Sequence, residues 1–258
     1  MSVRRHLRVV AADREVAPQR PAFYALRRGG WRDFVTLLHP PYTAWHLSYV
    51  AIGAAAAPRF SGARLGASVL AFFLGVGLCA HALDELRGRP LGTELPGRVL
   101  LAIAAFGLLG AVALGVVGAI EVSWWLLLFV AFGSFVVLAY NLELFGGRFH
   151  SDLWFALAWG AFPAVTGYFA QSGTLGWAVV PVALACLLLS SAQRRLSTPV
   201  RMLRRNVASV EGRMVLRDGT EHPVDGSSLR AAPEAALRAL ALALSLLASG
   251  LVLARLMR

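Results

Sequence analysis

Lysine is absent from the 258 residues, cysteine occurs only twice, and charged side chains make up 15% of the chain. So few charges beside 57% hydrophobic residues exclude an ordinary soluble enzyme and point to a membrane protein. Mean hydropathy of +0.62 agrees. Because lysine is missing, all 25 basic residues are arginine and the formal net charge is +11, a balance that raises nucleic acid as a partner. The placement of the arginines removes it, since they flank long apolar runs. Cys79 and Cys186 each lie inside such a run, which excludes a disulfide framework or a cysteine metal site and leaves two small core residues. The first 38 residues lack a compact apolar stretch, so no cleavable signal peptide is expected, and no internal repeat or low-complexity tract is present.

What the chain does have is apolar runs of membrane-spanning length. Seven are expected, over 42–57, 65–86, 99–120, 122–144, 153–169, 175–192 and 235–254, the first and last being the least pronounced. Placing the N-terminus in the cytoplasm puts 21 of the 25 arginines inside and leaves Arg59, Arg64, Arg255 and Arg258 outside. The expectation is therefore an integral, multi-pass protein in contact with membrane lipid, N-terminus cytoplasmic and C-terminus outside. It divides into a basic interfacial segment (1–38), a six-span membrane domain (39–195), a basic cytoplasmic loop (196–234) and a last span with the C-terminus (235–258). In 22–38, Phe23, Leu26, Trp31, Phe34 and Leu38 alternate with Arg27, Arg28 and Arg32 like a helix lying in the interface, although Gly29-Gly30 would break it. Within the basic loop, Asp218-Gly219 between short extended runs signals a β-hairpin on the cytoplasmic face.

Polar residues at membrane depth are costly and usually functional. Here they gather at the cytoplasmic ends of the spans. His81, Asp84 and Glu85 lie three and four apart on one helical face, with Arg87 just beyond. Tyr140, Asn141 and Glu143 end the fourth span, His150 and Asp152 follow it, and His46 lies one turn inside the first. As metal ligands, His46, His81, Asp84, Glu85, Glu143 and His150 would suit iron, zinc or manganese better than magnesium, because imidazole is a softer ligand than carboxylate. The bland readings stand beside these: Asp84 and Glu85 as a solvated helix end, His81 as a hydrogen-bonded core residue, Asp152 as a helix cap, and the arginines as ordinary positive-inside charge.

The order of these elements resembles the UbiA-type intramembrane prenyltransferases, particularly their menaquinone-biosynthesis branch. The run from Leu74 to Gly88 is similar to the end of that family's second helix, where the pattern is N-D-x-x-D. Asp84 matches its last position, while Ala80 and His81 stand where the Asn and first Asp would be. A second stretch, with Tyr140, Glu143, Asp152, Trp159-Gly160, Pro163, Gly167-Tyr168 and Gln171 to Thr174, is similar to the family's fourth-to-fifth-helix region. The resemblance covers about residues 38 to 195. It implies an all-α, polytopic, UbiA-like bundle that handles an isoprenoid with a divalent metal, magnesium for prenyl transfer, and carries catalytic roles onto Asp84, Tyr140 and Asp152. Beside these matched positions the residues themselves suggest His81 as a further catalytic group and Arg87, Asn141, Arg194 and Arg195 on the substrate. One departure is large. The family's second aspartate motif falls where this chain reads Leu189 to Pro199, and no Asp or Glu occurs between Asp152 and Glu211, so a two-cluster magnesium diphosphate site cannot be assembled. The family also usually has nine helices. Prenyl transfer leads the readings; a His/carboxylate metal oxidase or hydrolase and a non-catalytic lipid-binding protein are the alternatives. Oligomeric state is left open.

Overall fold

The computed structural model describes residues 20–258, so Arg4, Arg5, Arg8 and Arg14 of the basic N-terminal segment lie outside the described residues. Its helices are α1 (Trp31–Leu37), α2 (Pro40–Ala56), α3 (Gly62–Gly88), α4 (Gly97–Glu121), α5 (Leu126–Asn141), α6 (Asp152–Ser172), α7 (Val179–Arg205) and α8 (Gly226–Leu256), with strands β1 (Gly212–Val215) and β2 (Glu221–Val224) between the last two. Five of these, α3, α4, α6, α7 and α8, are long and apolar enough to cross a membrane. The expected first and fourth spans fall short of that standard for different reasons. α5 is apolar but has 16 residues, roughly 24 Å at 1.5 Å per residue. α2 has 17 residues and carries Tyr42, Thr43, His46, Ser48 and Tyr49, which dilute its hydrophobicity. Instead of facing lipid, α2 is the centre of the bundle, with Trp45, Tyr49, Val50 and Ala54 fully buried.

Hydrogen bonds between helix ends define two poles. Arg87 at the end of α3 donates to the Leu142 carbonyl just past α5, and Arg204 and Arg205 at the end of α7 donate to the carbonyls of Arg20 and Pro21. At the other pole Ser61, before α3, meets Gln171 near the end of α6, and Arg255 near the end of α8 reaches Ala57, just past α2. Thus α2, α4, α6 and α8 run one way and α3, α5 and α7 the other. α2 and α6 cross backbone to backbone: a β-carbon on Gly53 would lie 1.9 Å from the Ala164 carbonyl oxygen, and one on Gly167 2.2 Å from that of Val50. Small residues are what allow such an approach within a membrane. Exposed Phe106, Leu109, Leu128, Leu184, Leu188 and Leu246 face outward, consistent with contact with lipid tails.

The segment expected as an interfacial helix is helical only over Trp31–Leu37, because Gly29 (φ 100°) and Gly30 (φ 62°) turn the chain before it. Asp33 is buried and accepts from the N–H groups of Gly29 (3.1 Å) and Glu94 (2.8 Å), clamping this segment to the α3–α4 loop. The hairpin is present: β1 and β2 pair antiparallel, with Val215 opposite Glu221, and Gly219 turns at φ 85°. Helix α7 runs to Arg205, beyond the apolar run that ends at residue 192, and α8 starts at Gly226 behind a capping box made by Asp225 and Ser228.

Candidate functional site

At the arginine-rich pole the ends of α2, α3, α5, α6 and α7 surround a cluster of aromatic and imidazole rings. Two stretches of wide, π-helical backbone help to aim it. Residues Phe73–Ala80 of α3 and Leu157–Ala161 of α6 leave the regular α-helical ladder, a feature common beside functional sites. Just past the first, the Nδ1–H of His81 donates to the Gly77 carbonyl (3.2 Å), and its ring stacks on His39 at 4.1 Å. His39 holds a left-handed backbone (φ 46°) ahead of Pro40-Pro41, which turns its ring inward against Tyr24, itself packed edge-on to Tyr42. Burial, the neighbouring His81 and then Arg205 and Arg201 hold the His39 imidazole well below its ordinary pKa of 6.5, so it is neutral. Burial likewise pushes the Tyr24 phenol up.

The second π-helical stretch carries Trp159. Its carbonyl accepts from the Nδ1–H of His46 (2.8 Å), and its ring packs on Tyr140 at 5.2 Å. His150 stacks on Tyr140 at 4.4 Å and donates to its carbonyl (3.1 Å). The Tyr140 hydroxyl is buried and has no hydrogen-bond partner among the described residues; Ser190 and Gln193 on α7 also keep unpartnered oxygens.

The acidic residues divide by what they hold. Glu85, fully buried, accepts from Leu91 N–H (3.0 Å), Thr93 N–H (2.8 Å) and the Thr93 hydroxyl (2.9 Å), so it pins the α3–α4 loop. Glu143 pairs with Arg87 at 2.8 Å, and Asp152 with Arg194 at 2.9 Å. Ser151, not Asp152, caps α6. The Asn141 amide bonds back to the Val137 carbonyl, and Arg195 faces outward. Asp84 is half-buried and has no ion pair or hydrogen bond among the described residues, and it lies in the field of Arg205, Arg201 and His150.

Of the residues expected at a site, the structure therefore gathers His46, His81, Asp84, Tyr140, His150, Asp152 and Arg194 round one region. It draws Glu85, Asn141 and Arg195 away from it. Among the described residues no three His, Cys, Asp or Glu side chains come together as a metal-ligand set. The physical reason is visible in the pairs above: Glu85, Glu143 and Asp152 are engaged by other donors, so few carboxylate oxygens are left to join the histidines.

Below this cluster lies a half-open cavity of about 450 Å³ between α3, α4, α5 and α6. Small residues such as Ala67, Ala71, Gly75, Ala111 and Gly115 give it a smooth apolar wall. It ends at one side on Trp159, whose ring separates it from Tyr140, and at the other on Ser61, Arg64 and Glu121 near the opposite pole.

Sequence reading missed the contributions of Tyr24, Tyr42 and Arg205. The signal for Arg205 was available: Arg194, Thr198, Arg201 and Arg205 fall at i, i+4, i+7 and i+11, one face of a helix, provided α7 is carried past residue 192. For Tyr24 no local signal existed, because only the fold lays 20–25 across the ends of α7 and α8. Comparison of the chain with protein-family models, curated proteins and solved structures finds no match.

Proposed function

We propose that this chain binds an isoprenoid, or a lipid of similar apolar length, inside the membrane and works on its polar end at the arginine-rich pole, with prenyl transfer the reaction implied by the UbiA-type resemblance. The observation that carries this reading is the apolar cavity between α3, α4, α5 and α6, which ends on Trp159, whose ring packs on Tyr140 and whose carbonyl holds His46. Its volume lies in the roughly 300–1,000 Å³ range of small-molecule sites. The ring centroids of Trp159, Phe155 and Tyr140 lie within 6.4 Å of one another, and aromatic rings of this kind would stabilise positive charge developing on an allylic carbon. Asp84 and His81 would orient the acceptor, and Arg194, already stacked over Phe155, would meet the departing group. The carboxylates are too dispersed to support a metal-ligated version, so no step is assigned to a metal.

In the same reading α2 and α5 complete seven passes, with the arginine-rich pole in the cytoplasm and the C-terminus outside. A reporter fused after Arg205 would then be cytoplasmic and one after Arg258 would not. Extraction and mass spectrometry of lipid copurified in detergent should yield an isoprenoid. Ala111→Phe, which places a ring in the cavity, should lower its recovery about tenfold, a loss of about 1.4 kcal/mol. Equal recovery from both proteins would overturn the placement of the lipid.

A further inference from the structure

Arg194, Arg201 and Arg205 share one face of α7 and all three are half-buried, whereas Arg195, next in sequence, is exposed. Like charges at such spacing repel, and withdrawing a guanidinium from water is costly unless a partner returns the loss. The partners present are too few. Arg194 is paired with Asp152, which is itself 74% exposed. Arg205 donates Nε to the Pro21 carbonyl at 3.3 Å. Arg201 has the Thr198 hydroxyl at 3.3 Å, and the charges acting on it most strongly are Arg194 and Arg205, both repulsive. Asp84 is a single counter-charge facing Arg201 and Arg205. Arg204 does not share this shortage, because Glu234 receives it through two contacts, one of 2.8 Å.

The missing element is an acceptor. The Tyr140 hydroxyl, in the field of Arg194 and Arg201 and of Asp84 and Asp152, is a buried donor with no hydrogen-bond partner among the described residues. Three guanidinium forks with few acceptors, and one buried O–H with none, fit an oxyanion with several oxygens, for which arginine is the preferred partner. A hard cation fits poorly, since it needs several oxygen ligands and would meet a net positive field here.

We propose that Arg194, Arg201 and Arg205, with the Tyr140 hydroxyl, bind a phosphate-class dianion directly, with no divalent cation between. The site rests on the lipid reading only for its source: the dianion is either the phosphoester head of the lipid or free inorganic phosphate.

The test uses the full-length protein in detergent with EDTA present, and measures binding of farnesyl monophosphate, farnesol and inorganic phosphate calorimetrically. Farnesyl monophosphate should bind at least about tenfold more tightly than farnesol, with no gain on adding magnesium. Arg201→Gln and Arg205→Gln should each remove most of that preference and Tyr140→Phe should reduce it about threefold, while Arg98→Gln keeps it. Both arginine variants are read only from monodisperse protein, and Arg201→Lys, which keeps the charge, should restore part of the preference if Arg201→Gln does not fold. Binding of inorganic phosphate alone assigns a free anion. A preference for farnesyl monophosphate without it assigns a lipid head group; either result upholds the site. Phosphate binding with no binding of either farnesyl compound upholds the anion site and removes the lipid reading. Equal binding of farnesol and its phosphate, with no response to inorganic phosphate, or a preference that appears only with magnesium, overturns the proposal and leaves lipid binding standing.

Discussion

The two poles of the bundle use polar side chains differently. At the pole formed by 57–62, 121–126 and 172–178, Gln171 is buried with Oε1 accepting from Ser61 N–H (2.7 Å) and Nε2 donating to the Ser61 carbonyl (3.3 Å), while Arg64 donates to the Gln171 carbonyl (2.9 Å). Arg255 closes the same pole on the carbonyls of Ala57 and Pro58. These groups hold backbone, and among the described residues none of their buried side-chain nitrogens or oxygens is left without a partner. The arginine-rich pole contains the same kind of fastening in Glu85 and Asp33, but beside it stands a second set, Asp84, Tyr140 and Arg201, whose bonding capacity is left largely unused. Adjacent carboxylates make the contrast sharpest: Glu85 is fully buried and triply bonded, and Asp84, one residue before it, is half-buried and unpaired among the described residues. Buried polarity with complete bonds maintains the fold, and buried polarity without them marks where a ligand would complete it.

That contrast can be broken by substitution. The largest effect should come from Glu85→Ala, which strands three donors of the α3–α4 loop at roughly 1–3 kcal/mol each; a loss of about 3 kcal/mol or more in detergent unfolding is expected, and a near-neutral result would undo the fastening role. Gln171→Leu breaks the matching fastening at the other pole and should cost about 2 kcal/mol. A smaller and pH-dependent effect belongs to His39, which faces His81, Arg201, Arg205 and Tyr24 and is held neutral. Its folded-state pKa lies below 6.5, so the unfolded chain takes up the proton first, and the contribution present above that pH is lost as pH falls toward the folded value. His39→Asn, which tolerates the left-handed backbone, should flatten the decline in melting temperature between neutral and mildly acid pH. Asp84→Asn should shift stability by about 1 kcal/mol or less while strengthening the binding of a phosphate probe, because a like charge has been removed. Smallest of all, replacing residues 212–222 by a short Gly-Ser linker should change stability by no more than about 0.5 kcal/mol, since β1 and β2 are almost wholly exposed; loss of folding would show that the hairpin has a structural partner.

Much of this was legible in residue order. Apolar runs located the helices because a bilayer imposes a length, and the Asp218-Gly219 pair located the hairpin because few residues accept the left-handed turn it needs. His46, His81, Asp84, Tyr140 and Arg194 were visible as polar groups at helix ends. Asp84 and Glu85 were read together as ligand candidates, yet adjacent residues on a helix point 100° apart, and the structure bonds Glu85 to the α3–α4 loop while leaving Asp84 half-buried and unpaired among the described residues.

The sequence by itself determined that this is a helical protein matched to a membrane, with its arginines and its polar residues concentrated at one pole, because hydrophobic length and charge placement act through composition and short spacing. Only the tertiary structure decided which of those polar residues are bonded. The loop 89–96 folds back to satisfy Glu85, and 20–25 lies across α7 to bring Tyr24 toward the arginines. Trp159 is set between the apolar cavity and Tyr140 by a local widening of α6. Hydrogen bonds form between groups far apart in the chain, so their completeness, and the places where it fails, exist only once the helices have packed.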